Sequence, residues 1–341
     1  VDFLHFLHIL LAGRPLSESE ADSAFELILQ GHVPEPQIAA LLALIQARGA
    51  TTDELTGAAR AIRRHATPVH CSAPGILLDT CGTGGATKTF NISTIAALVT
   101  AAAARGLVRV AKHGNKSRSG RGSAELLAAL GVKIDADPAV QARCLDRAAV
   151  CFCFAQHHHP AARHAASVRK ALAFPTIFNL LGPLSNPANA RHQLLGVYDR
   201  AALDKMASAL LRLGSLRAMV VHSDEGLDEI STSAPTHVAE LRDGRVLHST
   251  IDPRSLGFSP VPISAIQAYD LQHAVRIARD VLAGIPGPCR DMVLLNAAAA
   301  LLVAGCTPSL HEGLSLTAAA IDSGAASQTL TALIEESHRA P

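Results

Sequence analysis

Sixteen residues at 79–94, DTCGTGGATKTFNIST, contain three glycines (Gly82, Gly84, Gly85) and six hydroxyl side chains. Glycine allows left-handed turns and lets backbone N–H groups approach a ligand with no Cβ in the way. Ser93 and Thr94 follow at the start of a predicted helix, where free N–H groups attract anions. The chemistry this suits is phosphate binding. No Gly-Lys-Ser/Thr closes the loop, so it is not a Walker loop. Thr87 stands where a dinucleotide fingerprint requires its third glycine.

A second loop, AKHGNKSRSGRGS at 111–123, follows the next predicted strand and repeats the design. It interleaves Lys112, Lys116, Arg118 and Arg121 with Ser117, Ser119 and Ser123. Both loops would open on one edge of a sheet, which implies a ligand with two separated phosphates. Asp228 and Glu229 come just after another predicted strand, RAMVVHS. On the same edge they would supply oxygen ligands for magnesium, which binds through one or two carboxylates plus substrate phosphates. The triplet His157–His159 does not read as a metal site, because neighbouring side chains point in different directions. Asp224 and Glu225 read as solvated loop charges.

The elements that must position these residues fall into two textures. Residues 1–66 read as helices with apolar stripes at 3.6 spacing. Ser17 and Glu20 have capping-box spacing and their helix closes at Gly31; Pro36 falls in the first turn of the next, which stops at Gly49; Thr51 and Glu54 cap another. Residues 67–75 read as a linker. Short apolar strands then alternate with helices: ILLDTC, VRVAK, VCFCFA and RAMVVHS are the predicted strands. Such alternation predicts an α/β fold, a central mostly parallel sheet with ligands at the strand carboxyl ends. Asp243-Gly244 between alternating apolar residues predicts a hairpin near the sheet edge. From about 265 onward the chain reads as helix.

Composition bounds the partners. At 341 residues with 49% apolar residues, the chain is long enough for two domains and a sizeable core. A formal net charge of +1 provides no global field for nucleic acid or an anionic membrane. With no Trp and two Tyr, few platforms exist for stacking single-stranded bases. No apolar run reaches membrane-spanning length. The apolar start has no basic leader and reads as a helix. Seven scattered cysteines without a CxxC pair predict reduced thiols in a cytoplasmic protein; Cys151 and Cys153 should share a strand face.

The set GTGG…FNIST, KHGN.S, H…VR..L, FNLLGPLSNPA and DE.S, in this order, resembles the anthranilate phosphoribosyltransferase family. The resemblance runs from the first helix to about residue 335. It implies a nucleoside-phosphorylase-like phosphoribosyltransferase fold: a small helical domain at 1–66, joined by helices from about 165–190, and a larger phosphoribosyl-pyrophosphate-binding domain at 74–341. It implies transfer of the phosphoribosyl group to the amine of anthranilate, release of pyrophosphate, a need for Mg²⁺, a role in tryptophan biosynthesis, and a homodimer joined through the helical domain. Carried over by motif, the donor would be held by Gly82, Gly85, Thr89, Asn91, Ser93, Thr94, Lys112, His113, Gly114, Asn115, Lys116, Ser117 and Ser119. Gly82, Asn115, Arg169 and Pro183 would meet anthranilate, with His159 a wall of its channel. Ser93, Asp228 and Glu229 would bind the metal. No residue is assigned as nucleophile or general base.

The match has departures. Ala86 replaces an acid, both glycine-rich loops are one residue short, and Pro175 replaces a basic residue. Two other readings remain open from sequence: a pyrimidine nucleoside phosphorylase-like enzyme, and a non-catalytic relative that binds nucleic acid through the basic loop.

Overall fold

In the computed structural model, residues 2–87, 89–117 and 120–340 are described. Four helices open the chain: α1 (Phe3–Leu11), α2 (Glu18–Leu29), α3 (Glu35–Arg48) and α4 (Thr52–Arg64). The predicted capping boxes are present: Ser17 with Glu20 starts α2, and Thr51 with Glu54 starts α4. Pro36 lies in the first turn of α3, and Gly49 ends it.

Beyond the linker come β1 (Ile76–Gly82), α5 (Ile92–Ala103), β2 (Val108–Gly114), α6 (Ser123–Ala129), α7 (Pro138–Ala148) and β3 (Val150–Phe154). Short helices α8 (Ala155–His158), α9 (Ala166–Leu172) and α10 (Phe178–Leu181) lead to β4 (His192–Gly196), α11 (Leu203–Arg212) and β5 (Arg217–Ser223). The hairpin β6 (Thr236–Arg242) and β7 (Arg245–Ile251) turns at Asp243-Gly244, as its sequence predicts. Helices α12 (Leu271–Leu282), α13 (Pro288–Val303), α14 (Leu310–Asp322) and α15 (Ala325–His338) complete the chain.

The seven strands form one sheet in the order β3-β2-β1-β4-β5-β6-β7, parallel from β3 through β5 and antiparallel from β5 to β7. The chain builds outward from β1 to β3, then returns to lay β4 on the other side of β1. That reversal makes a topological switch point beside β1, where open α/β sheets bind ligands. Strand β4 was not among the predicted strands.

Successive strand residues face opposite sides, so the sheet feeds two cores. Leu78, Val110, Leu194 and Val221 pack with α5 and α13 on one face. Cys81, Leu195, Val220 and Leu241 pack on the other with α1–α4, residues 165–184 and α11. Phe25 of α2 is fully buried in this second core; emptying such a site typically costs about 3–5 kcal/mol. The Cys151 and Cys153 sulfurs lie 3.6 Å apart on one face of β3, as expected. Asp224 and Glu225 are more than solvated charges: Asp224 pairs with His237 at 2.7 Å, and Glu225 accepts the Ser231 hydroxyl. Their positions just beyond β5 let them brace the turn leading to Asp228.

Candidate active site

The carboxyl ends of β1, β2 and β5 open on one edge of the sheet, since all three run parallel. Two adjoining cavities occupy that edge, one of about 1060 Å³ and one of about 610 Å³. They meet at Cys81–Thr83, His113–Lys116 and Arg169, which line both.

The larger cavity is built mostly from the two glycine-rich loops. Gly84 and Gly85 have φ of 65° and 95°, the left-handed turns anticipated for this loop. Of the residues predicted to hold the donor, Gly82, Gly85, Thr89, Asn91, Ser93, Lys112, His113, Gly114, Asn115, Lys116 and Ser117 line this cavity. Thr94 does not: it is buried, and its hydroxyl donates to the Ser123 hydroxyl at 2.9 Å, tying α5 to α6 behind the wall. Ser119 lies outside the described residues, as does Arg118.

Asp228 and Glu229 form the cavity floor with Ser93. Asp228 Oδ2 accepts the Gly84 N–H and Glu229 Oε1 accepts the Ser93 N–H, each at 3.2 Å. The approach is close enough to forbid side chains nearby. A Cβ on Gly82 would lie 2.6 Å from Asp228 Oδ2, and one on Gly196 would lie 1.6 Å from the Asp228 carbonyl oxygen. Burial raises the Asp228 carboxyl above its ordinary range. Burial, and then the adjacent Asp228 charge, push Glu229 up to about 8. Two adjacent acids that resist ionising together are relieved by a divalent cation between them. The pair and the Ser93 hydroxyl are also the oxygen donors that magnesium accepts, with phosphates completing its shell. The residues therefore fit Mg²⁺.

Lys112 is buried beside this floor. Its Nζ donates to the Thr80 carbonyl at 2.5 Å and to the Ser93 hydroxyl at 3.1 Å. Burial lowers its ammonium, and the Asp79 charge chiefly opposes that shift. Lys112 thus serves as a fixed interior charge holding Ser93, rather than as part of a solvated basic loop. Lys116 is the more open cation, 5.8 Å from the centre of the Phe154 ring.

The smaller cavity is lined by the four residues carried over for anthranilate, Gly82, Asn115, Arg169 and Pro183. The Arg169 guanidinium lies 4.8 Å from the centre of the Phe178 ring, a cation–π contact that orients its planar fork. His113 and His159 both line this cavity, with their Nε2 atoms 3.2 Å apart. His113 Nδ1 lies 3.0 Å from the Gly182 carbonyl, so the network assigns its proton to Nδ1. His113 Nε2 then accepts from His159 Nε2–H. Burial pushes His113 well below its usual range and His159 to about 4, so both rings are neutral at pH 7. His158 faces the other way, with Nδ1 2.8 Å from the Thr67 carbonyl and Nε2 2.7 Å from the Gln141 side-chain oxygen. The triplet's rings do not converge, and among the described residues no group of three His, Cys, Asp or Glu is placed to hold a metal.

Three buried polar residues behind the cavities escaped sequence reasoning: Asp79, Gln193 and Asn186. Asp79 accepts the His113 N–H at 3.1 Å, and burial raises its carboxyl. Arg121 also lines the larger cavity and donates to the Ala268 carbonyl, joining the second loop to the segment before α12. The repeated Ser/Arg pattern of that loop was its only sequence signal.

A helical bundle beside a sheet with two anion loops and a paired-acid floor describes a class of glycosyl-transferring enzymes. The profile of the glycosyl transferase family's helical bundle domain matches residues 4–66, and that of its a/b domain matches residues 74–327. An anthranilate phosphoribosyltransferase of Streptomyces coelicolor is 50% identical, covering 93% of this chain and 94% of its own. The anthranilate phosphoribosyltransferase structure from Thermus thermophilus has a TM-score of 0.91 at 38% identity, covering 98% of this chain and 99% of its own. That from Saccharomyces cerevisiae in complex with PRPP and Mg has a TM-score of 0.88 at 27% identity, covering 98% and 97%. The same yeast enzyme with 4-fluoroanthranilate has a TM-score of 0.87 at 26% identity and the same coverage. The chain belongs to this glycosyl transferase family and, within it, to the anthranilate phosphoribosyltransferases.

Proposed function

We propose that the chain transfers the phosphoribosyl group of phosphoribosyl pyrophosphate to the amine of anthranilate and releases pyrophosphate, a step of tryptophan biosynthesis. The observation that carries this reading is the junction of two unlike cavities at Gly82 and Asn115: one rich in N–H donors, hydroxyls and paired acids, the other bearing Arg169 beside neutral histidines.

Breaking the C1–O bond of the donor leaves positive charge on the sugar and negative charge on the departing pyrophosphate. The amine nitrogen forms the new bond to C1 and then loses a proton to solvent, so no protein nucleophile is required. Lys116, which lines the larger cavity, would meet the growing negative charge, and the Gly84 N–H, bonded to Asp228, holds the acid floor in place beneath it. Asp228, Glu229 and Ser93 would hold Mg²⁺, which supplies charge neutralisation of the leaving group. Arg169 offers two parallel N–H donors to the acceptor's carboxylate, a geometry lysine cannot match. Asn115 stands where both ligands meet.

The helical unit at 1–66, with residues 165–190, is proposed to carry a homodimer contact, and the 74–341 unit the donor site. Among the described residues no helix is long and apolar enough to cross a membrane; a cytoplasmic location is part of the proposal.

The reading is tested by mixing the protein with anthranilate, phosphoribosyl pyrophosphate and Mg²⁺ and following anthranilate fluorescence. Loss of fluorescence that requires all three is the expected result. Phosphate-dependent release of base from a pyrimidine nucleoside, with no use of phosphoribosyl pyrophosphate, would replace it with the phosphorylase reading.

A further inference from the structure

A buried lattice of polar side chains holds the acceptor wall to the donor loop, and its centre is Gln193. This inference rests on the anthranilate site proposed above and concerns what sets its shape. Gln193 in β4 is the register partner of Asp79 in β1, and both are buried. Its Nε2 donates to the Pro183 carbonyl at 2.7 Å and to the Cys81 sulfur at 3.0 Å, and lies 3.5 Å from Asp79 Oδ2. The other Asp79 oxygen takes the His113 N–H, and the His113 ring bonds the Gly182 carbonyl. One continuous path therefore runs from Pro183 through Gln193 and Asp79 to His113 and back to Gly182.

The chemistry of this path is specific. Pro183 is buried and lines the smaller cavity. Its carbonyl takes a hydrogen bond from a side chain fixed in a central strand, so the position of Pro183 follows the position of β4. His113, two bonds further along, lines both cavities. An apolar residue of similar length would fill the volume but leave a buried carbonyl without this donor.

We propose that Gln193 is a positioning residue for the acceptor site: its amide, and not its bulk, sets where Pro183 stands relative to His113. The measurement is steady-state kinetics of Gln193→Met, which keeps the length and removes both donors. The KM for anthranilate should rise about tenfold while the KM for phosphoribosyl pyrophosphate stays within about twofold, in line with one lost buried hydrogen bond on the acceptor side. Gln193→Asn, with a donor on a shorter arm, should recover part of the loss. An unchanged anthranilate KM in Gln193→Met overturns the proposal, and so does an equal rise for both substrates or a fall in kcat alone, since a merely structural role predicts those. Should Gln193→Met not fold, Gln193→Asn decides by the same split: a selective rise in the anthranilate KM supports the proposal, and no rise or an equal rise overturns it. Wild-type protein that does not consume anthranilate with donor and Mg²⁺ overturns the functional reading itself, and this inference with it. Normal wild-type turnover beside an indifferent Gln193→Met overturns this inference only.

Discussion

The two cavities share a wall and treat charge in opposite ways. On the donor side the protein buries Lys112 and Asp79, sets the half-buried Asp228 and Glu229 beside them, and holds each of those two acids with a backbone N–H. On the acceptor side it holds two histidines as neutral rings, His113 buried and His159 half-buried, and sets one oriented guanidinium at the space. The contrast follows from the ligands each side is proposed to hold. A pyrophosphate that gains charge as its bond breaks needs compensation already in place. An aromatic amine that must keep its lone pair needs a surround with no excess positive charge and one anchor for its carboxylate.

Four measurements would break or sharpen this comparison. The largest effect belongs to the acid floor: Asp228→Ala should lower kcat/KM for phosphoribosyl pyrophosphate by about 10²–10³ with little change in the KM for anthranilate. Chelation of Mg²⁺ should abolish turnover, and added Mg²⁺ should restore it. Next is the acceptor anchor. Arg169→Ala should raise the KM for anthranilate about 30-fold, as loss of charge-assisted hydrogen bonds does, and leave the donor KM nearly untouched. Equal effects of either variant on both substrates would erase the division between the cavities.

The third measurement is pH dependence. His159 has a folded pKa of about 4 against an ordinary value of 6.5. Between those values the folded protein binds fewer protons than the unfolded chain, so stability rises with pH across the window and is lost as pH falls through it. Urea titrations should show about 2 kcal/mol less stability at pH 5 than at pH 7 from this ring alone. His159→Leu should flatten the profile by about that amount. The smallest effect lies outside both cavities: Ser17→Ala removes the cap of α2 and should cost about 1 kcal/mol of stability with kinetics unchanged.

What could be read in the sequence was whatever has a local signature. Ser17/Glu20 and Thr51/Glu54 announce helix starts because both members of each box lie within one turn. Gly82–Gly85 and Lys112–Ser117 announce strand ends that run into ligand loops, because their residue types have few other uses in such density, although β2 itself continues to Gly114. Strand β4 gave no such sign: His192–Gly196 is a five-residue stretch, buried along most of its length, with no glycine or proline pair to punctuate its start. Its absence from the prediction also hid Gln193 and Gly196. Asp79 is the same case. An acid within an apolar strand has no meaning by spacing, and only the register of β1 against β4 brings it to Gln193. Thr94 shows the converse: its residue type suits phosphate, yet the turn of α5 carries its hydroxyl to Ser123. Arg63 of α4 is another tertiary contact of this kind, half-buried and donating to the carbonyls of Leu184 and Leu213.

The second core sets an order of events during synthesis. Helices α1–α4 complete their apolar faces against α10, α11 and one side of β4–β6, all encoded more than a hundred residues later. At ordinary translation speed these helices wait on the order of ten seconds for their partners. These helices are made before the surfaces that bury them, so a ribosome stalled before β4 would leave their greasy flanks without the β4–β6 face that covers them.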